Sequence, residues 1–248
     1  MACHLGSIWS NGYGLRRSLL IAVKSGNQET RKRNQNLLFF AASTLNCNVI
    51  EIVVATRNTH KTREIQHILG PEFRVRDLLA HPEVSEICES GTSFEENAKL
   101  KALAVSRKLP GLVIADDSGL EVDALDGAPG IYSARYAGAN ATDRDKIDKL
   151  LAELARVRAS ADGRGARFRC VIALARNDYF LGTFEGVVEG RIANQMQGDS
   201  GFGYDPVFIP EGFEQTFGEL SSEVKNTISH RTKAIRALGV KLRQLELS

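Results

Sequence analysis

A chain of 248 residues with 43% hydrophobic content is long enough to bury a substantial core, and its balance of residues excludes several classes of function. The net charge of +2 conceals an asymmetry: residues 1–48 hold six basic residues against Glu29 alone, which leaves 26 basic and 29 acidic residues in the rest. Such a body lacks the clustered Lys and Arg of a nucleic-acid binder, no apolar run approaches the ~20 residues that cross a bilayer, and Cys3, Cys47, Cys88 and Cys170 form neither a zinc-ribbon nor a disulfide pattern.

Residues 1–48 carry no clear periodicity and are set outside the domain, which is expected over 49–248. Three readings of the tail stay open: a flexible extension, an Arg-rich targeting segment, or sequence upstream of the true start, since Met196 is the one other methionine. Reduced thiols and the lack of an apolar span place the protein in the cytoplasm.

From Ile50 to Ala55 a β-branched run predicts a buried strand, followed by polar Thr56–Lys61 and a helix with Ile65, Ile68 and Leu69 on one face. Ser93 and Glu96 have the spacing of a capping box, opening a helix to about Lys108 with Phe94, Ala98, Ala102 and Val105 inward. Leu112 to Ala115 predicts a second short buried strand, and Thr142 caps a helix burying Ile147, Leu150, Leu151 and Leu154. Arg167–Ala175 and Tyr179–Val188 read as a hairpin turning at Asn177-Asp178, and a last helix from near Ser229 buries Ile235, Leu238 and Leu242. The alternation predicts an α/β fold with a mixed sheet.

Four polar segments interrupt these elements. Thr56-Arg57-Asn58-Thr59-His60-Lys61 lies between a strand and a helix N-terminus, where unpaired N–H groups and the helix dipole favour an anion; an ordinary turn capped by Asn58 or Thr59 is the plainer alternative. Asp116-Asp117 follows an apolar run, and two adjacent carboxylates at a strand's carboxyl edge call for a compensating cation, with magnesium favoured by hard oxygen donors; a solvated acidic turn is the alternative. Glu89 lies in a loop and offers a further oxygen, whereas Glu95 and Glu96 suit a helix N-terminus for dipole reasons alone.

The third segment, Gly198 to Pro206, lets backbone approach a ligand and presents Phe202 and Tyr204 as aromatic faces on which a base can stack, unless it is a plain surface loop. The fourth, Lys225 with Ser229-His230-Arg231, offers planar donors that would read the keto oxygen of a purine; a structural histidine is the alternative.

Taken together, Thr56–Lys61, Phe94–Ala98, Ala115–Val122, Gly127–Gly130 with Ser133–Tyr136, Gly201–Pro206 and Ser229–Arg231 resemble the inosine triphosphate pyrophosphatase family over about Ile50 to Leu242. The resemblance implies an elongated two-lobed α/β fold around a long central mixed sheet, a nucleotide cleft between the lobes, a homodimer, and Mg²⁺-dependent hydrolysis of ITP, dITP or XTP to monophosphate and pyrophosphate. It assigns proton acceptance and metal binding to Asp117 and metal binding to Glu89. Thr56, Arg57, Asn58, Thr59, His60 and Lys61 match the triphosphate loop, and Ser118, Phe202, Gly203, Tyr204, Asp205, Lys225, His230 and Arg231 match the remaining nucleotide contacts. Asp116 is expected to support the metal shell, and Lys61 and Lys225 to neutralise the leaving pyrophosphate. Ser200 stands where many relatives have a second glycine, and the tail also departs from the family's usual start. A pyrimidine nucleotide pyrophosphatase of the Maf-like group and a nucleotide-binding regulator without turnover are the rival readings; the Asp116-Asp117 pair is of little use to a mere binder.

Overall fold

The computed structural model describes residues 49–246 apart from Glu86 and Ala161, so the expectations for residues 1–48 lie outside the described residues. Strand β1 (Ile50–Val54) runs into helix α1 (Thr59–Leu69) and returns as the edge strand β2 (Phe73–Asp77), parallel to β1. Helix α2 (Phe94–Ser106) then crosses to β3 (Leu112–Val122), which lies parallel to β1 on its other side. Beyond it come α3 (Asp143–Arg156), the antiparallel strands β4 (Gly165–Arg176) and β5 (Tyr179–Ile192), the short β6 (Phe208–Pro210), and helices α4 (Ser222–Ile228) and α5 (His230–Glu246). The six strands form one mixed sheet in the order β2-β1-β3-β4-β5-β6.

Local chemistry sets most of the boundaries. Asn58 caps α1 by accepting from the N–H groups of His60 and Lys61, and Gly70, at φ 92°, ends it. Ser93 caps α2, but the Glu96 carboxylate reaches the N–H of Thr92, one residue further back than a strict capping box places it. Thr142 and Asp145 form the full box at α3. Asn177 and Asp178 both sit at positive φ, 50° and 67°, the geometry that turns β4 tightly into β5.

One expectation about strands changes. β3 does not stop at Ala115; it runs on through Asp116, Asp117 and Ser118 to Val122, paired along its whole length with β4. Yet β1 accompanies it only as far as Ile114, so from Asp116 onward the β1 side of β3 has no neighbouring strand. Because the chain winds from β1 to β2 on one side and to β3 on the other, this opening lies at the switch point of the sheet, where ligands gather in α/β folds.

Side chains alternate along a strand, and β3 uses both faces. On one face Val113 and Ala115 pack under the α2 stripe of Phe94, Ala98, Ala102 and Val105. On the other, Ile114 joins α1 and α5 through Ile65, Leu69, Ile235, Leu238 and Leu242, while Leu120 and Val122 join α3 through Ile147, Leu150 and Leu154. Asp116 and Ser118 therefore fall in the gap between two apolar clusters on a single face. Gly186 of β5 seats the start of α5: a methyl group there would lie 2.1 Å from the His230 carbonyl oxygen and 2.6 Å from the Ala234 nitrogen. Gly186→Ala is expected to lower the unfolding free energy by about 1–3 kcal/mol in urea denaturation, since backbone must move; an unchanged midpoint would contradict this seating.

Candidate active site

Adjacent strand residues point to opposite faces, and this separates the two aspartates that the sequence places side by side. Asp116 faces α1 and α5. Its Oδ1 accepts from Lys61 Nζ and from Ser118 Oγ at 2.9 Å, and its Oδ2 accepts from Arg231 Nε at 2.9 Å and the Cys170 thiol at 3.2 Å. Burial alone would raise its pKa, but Arg231 and Lys61 outweigh burial and hold the carboxyl well below its usual range. All of these donors engage Asp116, and its side chain lies on the opposite face of β3 from that of Asp117. The cations that pair with it among the described residues are Lys61 and Arg231.

Asp117 faces α2, where Lys101 meets it. The buried Lys101 ammonium donates to Asp117 Oδ1 at 2.7 Å, to Glu89 Oε1 at 2.8 Å and to the Asp116 carbonyl oxygen at 2.9 Å. One ammonium thus gathers two carboxylates and also satisfies the edge of β3 that lacks a strand partner. Arg135 donates to the other Glu89 oxygen at 2.9 Å. Burial pushes the Asp117 carboxyl up, against the pull of Lys101. At Glu89 burial is outweighed by Lys101 and Arg135, so its pKa falls.

Asp117 Oδ2 is buried without a hydrogen-bond partner among the described residues. Such an orphaned oxygen beside a second carboxylate suits a hard divalent cation. No group of three or more His, Cys, Asp or Glu gathers anywhere among the described residues. A cation here would therefore take Glu89 and Asp117, with phosphate oxygens and water completing its shell, the usual arrangement for magnesium.

On the Asp116 face a cavity of about 200 Å³ opens between the loop after β1, the glycine-rich loop and the start of α5. Asn58, His60 and Lys61 line it from the first motif, and Ser118 and Gly119 from β3. The expected row of free N–H groups at α1 is reduced, because Asn58 Oδ1 takes two of them and Thr56 Oγ1 takes that of Asn58. Arg57 turns away from the cavity to donate to the carbonyls of Leu78 and Val84, at 3.0 and 2.5 Å, and anchors the loop. Thr59 is the first residue of α1.

The glycine-rich loop supplies Phe202, Gly203, Tyr204 and Asp205 to the opposite wall. Only Phe202 behaves as the exposed aromatic that was expected: it is half-buried, with His60 5.5 Å from its ring centre and Lys225 Nζ at 4.7 Å. Tyr204 is buried in the α3 cluster, its hydroxyl donating to the Ser133 carbonyl at 3.0 Å. Asp205 accepts from the Phe202 N–H at 2.8 Å and from Lys225 Nζ at 2.6 Å. Lys225 also meets Glu64 at 3.1 Å, so two carboxylates already counter its charge and it is no free cation for a leaving phosphate.

His230 and Arg231 close the inner end. Arg231 is a hub, with Nε on Asp116, one terminal nitrogen on Glu64 and the other on Ser118 Oγ at 3.0 Å. His230 stacks on Phe168 with 4.8 Å between ring centres, and its Nδ1 is buried without a partner among the described residues. Burial, helped by Arg231 and Lys225, drives its pKa well below normal, so the ring is neutral.

Sequence reasoning missed Lys101, Arg135, Asp143 and Lys146, the last two of which also line the cavity. A signal for Lys101 existed. Asn97 and Lys101 share the inward face of α2 with Phe94, Ala98 and Ala102, and a charged residue on a buried helical stripe requires a partner.

Comparison with known proteins places this arrangement. The Ham1 family model matches residues 52–240. A dITP/XTP pyrophosphatase of Bacillus licheniformis is 47% identical over 195 residues, covering 78% of this chain and 98% of that protein. A HAM1 protein from Coxiella burnetii has a similar structure, with a TM-score of 0.71 and 41% identity over 79% of this chain and 99% of its own. The Staphylococcus aureus Ham1 protein follows at 0.69 and 43%, over 78% and 98%. With a family model covering most of its length and a fold shared with solved members at this identity, the chain belongs to the Ham1 family.

Proposed function

We propose that this protein hydrolyses non-canonical purine nucleoside triphosphates, dITP, ITP and XTP, to the monophosphate and pyrophosphate. One observation carries the reading. A pair of carboxylates gathered on Lys101, Asp117 buried and Glu89 half-buried, lies at the same gap in the sheet as a cavity with an aromatic wall and an unpartnered imidazole nitrogen at its inner end. Relatives bearing the dITP/XTP pyrophosphatase name over nearly their whole length support the choice of substrate.

In this reading the base enters the cavity and stacks on Phe202, with its keto edge toward His230 and Arg231. A 6-amino group in the same place would set donor against donor, which makes ATP a poor substrate. The triphosphate passes the open edge of β3 toward Lys101. Asp117 accepts a proton from the attacking water, whose oxygen bonds to the α-phosphorus as the bridging bond to the β-phosphate breaks and pyrophosphate departs. Lys101 holds Asp117 and Glu89 in register. Mg²⁺ held by Glu89 and Asp117 would neutralise phosphate charge and orient the phosphate oxygens. The homodimer, the two-lobed arrangement with nucleotide between the lobes, a cytoplasmic location and a single catalytic domain over 49–248 belong to the same proposal. Among the described residues no helix is long and apolar enough to cross a membrane.

A panel of ITP, dITP, XTP, ATP, GTP and pyrimidine triphosphates tests the reading. Turnover of the first three is expected to exceed that of ATP by at least about a hundredfold, the scale on which mismatched hydrogen bonding discriminates. EDTA is expected to abolish turnover and excess Mg²⁺ to restore it. Equal use of ITP and ATP, or turnover indifferent to EDTA, would contradict it.

A further inference from the structure

We propose that Asp143 is a positioning residue that latches the glycine-rich loop to α3 and so holds Phe202 at the wall of the base cavity. The inference rests on the reading of that cavity as a base site. Asp143 is the first residue of α3, a position where an acid commonly serves its own helix. Here that task is already met: Thr142 and Asp145 cap α3 reciprocally. The Asp143 carboxylate reaches across the chain instead, and Oδ2 accepts from the N–H of Gly203 at 2.7 Å. Its other oxygen is held at 2.6 Å by Lys146, one turn along, whose side chain is only 13% exposed.

The loop needs such a tie. Gly198, Gly201 and Gly203 stand at φ 75°, 79° and 62°, and Gly203 has no side chain to anchor it. On one side of the Phe202 ring the loop is fixed from within, by Asp205 accepting from the Phe202 N–H. On the other side the tie comes from Asp143, on a helix whose Ile147, Leu150 and Leu154 are fully buried. Burial raises the Asp143 pKa, but Lys146 and the Gly203 N–H outweigh it, so the carboxylate is charged and the bond is charge-assisted. The ring between these two ties is the one that touches His60 and lies under Lys225.

The test compares the full-length protein with Asp143→Ala, Asp143→Asn and, as a control that disturbs only the helix cap, Asp145→Ala. For Asp143→Ala, KM for ITP is expected to rise about tenfold, the scale of a lost charge-assisted hydrogen bond, with kcat within about twofold. Competitive inhibition by inorganic tripolyphosphate, which has no base, is expected to stay unchanged. Asp143→Asn keeps an acceptor for Gly203 and is expected to recover most of the KM. Amide hydrogen exchange across residues 201–205, measured without nucleotide, is expected to rise in Asp143→Ala and not in Asp145→Ala. The proposal is overturned if exchange is unchanged in Asp143→Ala, if Asp145→Ala matches it, or if tripolyphosphate inhibition weakens in step with KM. Failure of the wild-type protein to turn over ITP would count against the proposed function instead, since the exchange measurement needs no turnover.

Discussion

Replacing Asp117 with Asn is expected to lower kcat for ITP by about a thousandfold while leaving the fold intact, within the range that a positioned general base contributes. The change is nearly isosteric, and the amide oxygen can still accept from Lys101, which now donates to Oδ1 at 2.7 Å. What disappears is the basic oxygen. Burial raises the Asp117 carboxyl above its ordinary range, which makes it a better proton acceptor than an exposed aspartate, and its Oδ2 has no competing donor among the described residues. Steady-state kinetics beside a thermal melt would check the prediction. Turnover within threefold of wild type would remove Asp117 from the chemistry and leave Glu89 as the remaining carboxylate on that face.

The second large effect is on stability. Arg231→Met is expected to destabilise the protein by about 3–5 kcal/mol, because it strips one partner from a buried ion pair and leaves the charge of Asp116 poorly compensated. Both side chains are almost wholly enclosed, at 2% exposure each, and Glu64 and Ser118 lose a donor in the same step. For a domain of this size the loss corresponds to a fall in Tm on the order of 10 °C. The double variant Arg231→Met with Asp116→Asn is expected to cost less than the two single changes added together, since neither charge is then left alone. A loss under about 1 kcal/mol for Arg231→Met, followed by urea denaturation, would contradict the role of Arg231 as the hub joining α5 to β3.

That role explains where sequence reasoning ran short. β1, α2 and the β4–β5 hairpin were legible because their signals are local: a β-branched run, the Ser93 cap, and the Asn177-Asp178 turn. β3 was cut at Ala115 because polar residues in a strand interior look like its end. They persist there since each face of the strand meets a cation from a distant segment, Arg231 on one side and Lys101 on the other. No spacing rule links positions so far apart. The edge strand β2 alternates Phe73 and Val75 with outward arginines over five residues, and β6 has only three, too short for periodicity to show.

At the site, the motifs come together, but several side chains hold partners that the sequence does not show. Asp116-Asp117 reads as one acidic cluster in sequence, yet the pleat divides it into a structural carboxylate and a candidate catalytic one. The family resemblance gave Lys225 and Arg57 nucleotide-binding roles; the fold pairs one with Asp205 and Glu64 and the other with backbone carbonyls. Lys101 alone could have been recovered, from its place on the buried face of α2.

The central claim is cleavage between the α- and β-phosphates of a keto-purine triphosphate. It is tested most directly by following ITP and Mg²⁺ with the wild-type protein by ³¹P NMR. IMP and pyrophosphate are expected to appear together in equal amounts from the start, with no early orthophosphate. IDP and orthophosphate as the first products would contradict it, because the attack would then fall on the terminal phosphate.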